Sequence, residues 1–397
     1  MNKLKLKTHH YVLYLLLVLV FSFPRTIQGI KIVVLAVMIL LFLFQLKIKK
    51  DFANRILSYL LFFLIPLFTA GIYGNNVSYV FEGIKIYFLF PLLIVLILQI
   101  FKKDDLIEII YNSSWIAIIL IAINGVLSLL YGFGMISFNI NTVFYADEEE
   151  VGVYEGFIHL INSSLSYLIF IVPICFINLN KLKFNKLSFY FFIFLFIFSL
   201  ISGRRILVLP FILLILYHFR RFYKYLIVIT LIAYFVLDTT KFENFDPSAV
   251  IIRFQEAISS SGDSEVREEQ VYYFETHIYQ KPIFGHGLGA YMNDYIRNVD
   301  FETAYEKSYY YLFFVMGIPF AFFFILYHLY LLYKSLTLTV NDEIKKKGIL
   351  LGIISLLLAS STNPYWLSSF DYTIPLAILI RLSQDDAKQS FGYISNI

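Results

Sequence analysis

Residues 11–50 read YVLYLLLVLV FSFPRTIQGI KIVVLAVMIL LFLFQLKIKK, two apolar runs parted by a short polar bend and closed by a basic cluster. The first run, Tyr11–Phe23, follows Lys3, Lys5 and Lys7 in the manner of a signal peptide, yet no small-residue cleavage site separates it from the second. It therefore reads as a first membrane helix. The rest of the chain points the same way. A sequence of 397 residues that is 59% hydrophobic and 15% charged, with mean hydropathy +0.74, has too little polar surface to close over a water-soluble globule. The sequence thus predicts an all-α, polytopic integral membrane protein, because every backbone group in lipid must be satisfied internally.

About twelve spans follow from the rule that roughly 20 apolar residues cross a bilayer as a helix. Their approximate limits are 10–24, 30–46, 55–74, 80–101, 106–130, 157–179, 187–202, 204–219, 223–239, 308–333, 346–363 and 365–381. Cytoplasmic loops carry the Lys/Arg excess of a membrane protein, which tests the count. With both termini cytoplasmic, 21 of the 32 basic residues fall inside, among them the clusters at Lys47–Lys50, Lys102–Lys103, Lys181–Lys186, Arg220–Lys224 and Lys345–Lys347, together with Arg381 and Lys388. The outside receives Arg25, Lys31, Arg204, Arg205 and six cations of one large loop, and Lys85 lies within a span. The formal charge of +4 then belongs to the cytoplasmic loops and implies no nucleic-acid partner. Cys175, the one cysteine, excludes an internal disulfide and a cysteine-based metal site, and it reads as packing.

Two external segments are long enough for chemistry: the acidic loop 131–156, containing ADEEE, and the loop 240–307 between spans 9 and 10. The larger holds twelve carboxylates against six bases, Lys241, Arg253, Arg267, Lys281, Arg297 and Lys307. It is partly helical by pattern. In SEVREEQVYYFETHIYQKP, residues 264–282, the positions Arg267, Val271, Phe274 and Ile278 share one helical face, Asp263 or Ser264 can cap the start, and Pro282 stops the helix. Arg267 thus lies on the face of the apolar side chains, while Glu265, Glu268 and Glu275 lie toward water. A charge on a buried face needs a partner.

Arg204 and Arg205, in SGRRIL at 202–207, sit outside, where basic residues are scarce, and at the start of a helix, where the dipole disfavours cations. Both penalties vanish if an anion binds, since helix-start N–H groups and guanidinium groups suit phosphate. A phosphate site at the outer membrane surface is the expectation for Arg205. For Arg204, pairing with a loop carboxylate or snorkelling to lipid headgroups serves as well. In KPIFGHGLGA, residues 281–290, the glycines Gly285, Gly287 and Gly289 resemble a dinucleotide fingerprint, but no strand precedes them and no βαβ unit surrounds them. They read instead as a tight turn that lets the backbone approach another element or a sugar ring. His286 within it is a candidate base or a structural turn residue.

Several of these stretches together resemble the O-antigen polymerase and ligase superfamily of bacterial membrane glycosyltransferases. REEQVYYFETHIYQKPIFGHGLG, from Arg267, is similar to a family signature of an arginine, an amphipathic helix, Pro, an apolar pair and Gly-x-Gly-x-Gly. LISGRRILVLPF resembles its Ser-Gly-x-Arg-x-x-x-Leu element and places its arginine at Arg205. EKSYYYLFFVMGIPF and SSTNPYWLSS resemble the start of its late helix and its last external turn. Eleven residues before Gly317, where the ligases carry histidine, this chain has Glu306, and the Glu-x-Ser-Tyr pattern there is closer to the polymerases. A carboxylate also suits a helix start at that point.

The resemblance implies transfer of a growing glycan from undecaprenyl pyrophosphate to an incoming lipid-linked repeat unit, outside the cytoplasmic (inner) membrane of a bacterium. It implies no cofactor and no metal, and, as partners beyond the bilayer, a chain-length regulator and a flippase. Arg205 and Arg267 would stabilise the diphosphate leaving group, and Glu306 would serve as base, with His286 behind it. Arg204, Arg253, Lys85, Gly285, His286 and Gly287 are candidates for substrate binding. A ligase, or a lipid-linked oligosaccharide flippase or transporter, is the alternative. Intramembrane charges are few, mainly Glu82, Lys85 and Asp371, and Glu82 stands one helical turn from Lys85.

Overall fold

The computed structural model describes residues 8–24, 26–43, 50–132, 135–137, 151–154, 157–160, 163–178, 186–201, 205–218, 264–296, 305, 307–361 and 369–385. Apart from one two-stranded hairpin, the regular elements among them are helices. Four stretches are long and apolar enough to cross a membrane: Ile56–Tyr73, Val77–Leu98, Lys103–Tyr131 and Ile318–Thr337. Between 28% and 50% of the residues of each stretch are fully buried, and large apolar side chains such as Phe68, Ile72, Phe81, Ile119 and Phe322 remain exposed on them, as on lipid-facing helices. Five further apolar helices are shorter, at 10–17 residues. The span at 223–239, the ADEEE stretch and the loop before residue 264 lie outside the described residues.

The chain divides into two compact units. The first comprises residues 1–35, 108–264 and 344–356. It contains α1 (Thr8–Ser22), most of α6 (Lys103–Gly132), an antiparallel hairpin of β1 (Val151–Tyr154) and β2 (Phe157–Leu160), α7 (Leu168–Phe176), α8 (Lys186–Ile201) and α9 (Leu209–Tyr217). The hairpin corrects the sixth predicted span: residues 157–160 are strand, and helical turns begin only at Ser163. All nine residues of α7 are buried, including the free thiol of Cys175. Around α7 the packing is aromatic. Phe170 meets Phe21 edge-on at 5.5 Å, Phe176 meets Trp115 at 5.4 Å and Phe192 at 5.1 Å, and Phe211 stands 5.3 Å from Phe192. Small residues set the closest approach. A Cβ on Gly352 of α13 (Glu343–Ala359) would stand 2.3 Å from the Phe170 carbonyl, and one on Gly348 would stand 2.8 Å from Ile177. In lipid, where apolar burial gives no net drive between helices, such close contact is what holds them together.

The second unit comprises residues 36–107, 265–343 and 357–397. It contains α3 (Lys50–Tyr73), α4 (Val77–Ile84), a π turn (Lys85–Leu89), α5 (Phe90–Leu98), α10 (Ser264–Gln280), α11 (Ser308–Met316), α12 (Ile318–Thr337) and α14 (Phe370–Leu382). The fourth predicted span stays helical over Val77–Leu98, with a π turn at Lys85, whereas the tenth is corrected: it breaks at Gly317, whose φ of 78° ends α11 and starts α12 ahead of Pro319. Polar devices hold this unit as much as packing does. Arg381, placed by sequence among the cytoplasmic cations, is fully buried and donates to the carbonyls of Leu98 (3.2 Å) and Phe101 (2.7 Å). Those carbonyls lie at the end of α5, where intrahelical partners run out and a cation is favoured. Beside them Gln99 donates to the Gln384 side chain at 2.8 Å, and Lys103 donates to the Gln384 carbonyl.

Candidate functional site

The site is built on α10 and the turn after it, all within the second unit. The helix runs from Ser264 to Gln280 and stops short of Pro282, as its pattern predicts. Gln270, Phe274 and Ile278 are buried, whereas Glu268, Glu269, Tyr272, Glu275 and Tyr279 are exposed, so the acidic side of the helix faces water.

Beyond Pro282 the chain makes its turn on three glycines, with φ of 65° at Gly285, 85° at Gly287 and 73° at Gly289. Each lies against a different backbone. A Cβ at Gly285 would stand 2.5 Å from the Gly317 nitrogen and the Val315 carbonyl. One at Gly287 would stand 2.5 Å from the Ala70 nitrogen in α3, and one at Gly289 would stand 2.5 Å from the Val80 nitrogen in α4. The turn also closes the helix break. His286 and Gly287 donate their backbone N–H groups to the carbonyls of Phe314 (2.8 Å) and Val315 (3.0 Å), at the end of α11, and the Pro282 carbonyl accepts from Ile318 (2.7 Å), at the start of α12. Leu288 N–H reaches the Pro66 carbonyl at 2.8 Å, and Asn75 donates its amide to the carbonyls of both His286 and Leu288, at 2.9 Å each. The three N–H groups of His286, Gly287 and Leu288 are therefore engaged by protein. Of the two roles open to the turn, its backbone performs the approach to other elements.

No family model, no curated protein and no solved structure matches the chain. Its chemistry must be read from the side chains around that turn.

His286 is half-buried, stacks on Phe314 at 4.4 Å, and shares a 2.9 Å hydrogen bond through Nε2 with the His277 carbonyl, for which the ring must be the donor. Burial lowers its pKa. The hydrogen bond to the His277 carbonyl opposes that shift, and nearby Lys281 and His277 reinforce it. Lys281 stands 3.3 Å over the Tyr73 ring, and loss of hydration lowers its pKa as well. Sequence reasoning missed His277, whose Nε2 lies 2.8 Å from Asp294 Oδ1. A separation of 17 residues along the chain gave no periodic signal for that pair.

The other predicted residues fall as follows. Arg267 lies in the first turns of α10. One turn on, Gln270 Oε1 accepts from the backbone N–H of Lys307 at 3.1 Å, and Tyr305 packs on Phe274 at 5.0 Å and receives the Met292 N–H at 2.7 Å. Tyr305 and Lys307 thus contact the helix that carries Arg267, and Glu306 lies outside the described residues. Arg205 opens the 3-10 turn Arg205–Val208 before α9, in the first unit. Arg204 and Arg253 lie outside the described residues. Lys85 pairs with Glu82 at 2.5 Å and stands 4.9 Å over Phe81, which gives it a local partner. Among the described residues no three His, Cys, Asp or Glu side chains converge to hold a metal ion.

Proposed function

We propose that this chain is a polysaccharide polymerase: a membrane glycosyltransferase that joins undecaprenyl-pyrophosphate-linked repeat units into surface polysaccharide at the external face of a bacterial cytoplasmic membrane. It would have about twelve spans and both termini inside. One observation carries the reading. The run from Arg267 through Gly289, which bears the family-like signature, forms a single helix-and-turn body whose glycines lock it onto three helix backbones. Such locking holds the C-terminal end of the helix that carries Arg267, and charge stabilisation of a leaving group demands a cation placed in advance. In this reading Arg267 neutralises the departing lipid diphosphate, Arg205 is the second phosphate-binding arginine, and Glu306 would assist at the acceptor. Arg204 and Arg253 would assist at the headgroup level.

The test is the ladder of surface polysaccharide from a strain whose chromosomal copy is deleted and replaced by wild type, Arg205→Ala or Arg267→Ala, with membrane levels matched. The expected outcome is a single repeat unit on the lipid anchor after deletion, and no ladder from Arg267→Ala. Long polymer stranded on the lipid diphosphate would make the protein a ligase. Repeat units left on the cytoplasmic side would make it a flippase, the reading that the helix break at Gly317 favours, since broken helices build transporter sites.

A further inference from the structure

We propose that His277, held by Asp294, is the base that takes the proton from the acceptor sugar, an assignment that rests on the polymerase reading and deepens it. Asp294 is half exposed, and as a carboxylate it only accepts hydrogen bonds. Its Oδ1, 2.8 Å from His277 Nε2, therefore fixes the proton on Nε2 and leaves the lone pair on Nδ1. Among the described residues no hydrogen bond occupies Nδ1, and the His277 side chain keeps 19% of its exposure. A ring nitrogen with a free lone pair, a carboxylate behind the ring to stabilise the imidazolium, and access to solvent are the three requirements of a general base.

The surroundings suit a sugar. Tyr273, one turn before His277 on α10, stands 5.2 Å from Tyr295, the neighbour of Asp294, and Tyr272 beside it is 67% exposed. Rings with an apolar face and a polar tip can cover the C–H face of a pyranose while bonding to its hydroxyl groups. The other titratable groups facing His277 are Lys281, one turn on, and His286, whose ring stands 5.6 Å away and whose Nε2 is spent on the His277 carbonyl. His286 is thus the support of the site and His277 its reactive member.

In the step itself, the acceptor hydroxyl oxygen forms a bond to the anomeric carbon of the donor glycan. The bond from that carbon to the phosphate oxygen breaks, its electron pair leaving with the lipid diphosphate. The hydroxyl proton passes to His277 Nδ1, Asp294 stabilises the resulting imidazolium, and the proton then goes to solvent. Atoms and charge balance with no further reactant.

The experiment uses the full chain in lipid nanodiscs with a lipid-diphosphate-linked repeat unit. His277→Gln should lower kcat by about 10²- to 10⁴-fold with KM little changed. His277→Ala should regain activity when imidazole is added, a rescue that a purely structural histidine would not show. Asp294→Asn, an exposed and conservative change, should lower kcat and move the acid limb of the pH profile. Wild-type polymerisation with His277→Gln within threefold of it, or a loss in His277→Ala that imidazole does not restore at unchanged thermal stability, overturns the base assignment alone. A wild-type protein that leaves the repeat units unjoined overturns the polymerase reading, and the assignment with it.

Discussion

The two units are held by different means. In the first, α7 is buried along its whole length among aromatic rings, and neighbouring helices approach through the missing side chains of Gly348 and Gly352. In the second, the decisive contacts run from backbone to backbone or from a polar side chain to backbone: the glycine turn on Phe314, Val315 and Pro66, Asn75 on the turn, and Arg381 on the end of α5. Side-chain packing tolerates exchange at constant volume, because many small dispersion contacts share the energy. A backbone contact does not, because no rotamer can move aside. The unit with the candidate site is the one built on contacts that leave least freedom.

The sharpest way to break the comparison is at the helix break. Gly317→Ala places a methyl 2.2 Å from the Ile283 carbonyl at a φ of 78°, and should cost more than about 2 kcal/mol in thermal unfolding of the detergent-solubilised protein. Gly71→Ala, in α3 with open space around it, should instead be neutral or stabilising by up to about 1 kcal/mol. Equal losses at both positions would mean that the locked turn is not what makes Gly317 costly to replace. Next in size, Arg381→Met keeps the bulk and deletes the donors to the Leu98 and Phe101 carbonyls, and should cost about 1–3 kcal/mol in the same measurement. In the first unit, Phe192→Met should cost less than about 1.5 kcal/mol, although Phe192 is only 1% exposed.

The smallest effect is a pH dependence. Burial depresses the pKa of His286, so below its ordinary value of about 6.5 the unfolded chain takes up the proton first. The stabilisation is fully present above that pH and is lost as the pH falls toward the folded value. Melting curves between pH 7.5 and 5.5 should therefore fall more steeply for wild type than for His286→Gln. Parallel curves would leave the ring without a role in the turn.

How much of this was legible in the sequence follows from the range of each signal. Helices, their apolar runs and the bounds of α10 depend on neighbours within a few residues, and hydropathy and the capping and stopping signals reported them. The exposure of Glu268 and Glu275 and the burial of Phe274 and Ile278 followed from the same periodicity. The glycine triplet announced a turn with close backbone approach, because only glycine adopts those φ values without cost. The sequence could not say which backbones it approaches: Gly285 meets Gly317, Gly287 meets Ala70 and Gly289 meets Val80, from segments more than 30 residues or more than 200 residues away. It likewise gave no sign that Arg381 is buried against the Leu98 and Phe101 carbonyls, since a cation near the end of a span looks the same whether it enters water or caps a neighbouring helix. His277 was overlooked for a related reason, its partner Asp294 being brought to it only when the turn folds back. The sequence by itself determined a chain of membrane helices with an amphipathic helix and a glycine turn in its second half. Only the tertiary structure decided which backbones that turn meets and which carboxylate stands beside His277, because those outcomes depend on contacts between segments that no local pattern connects.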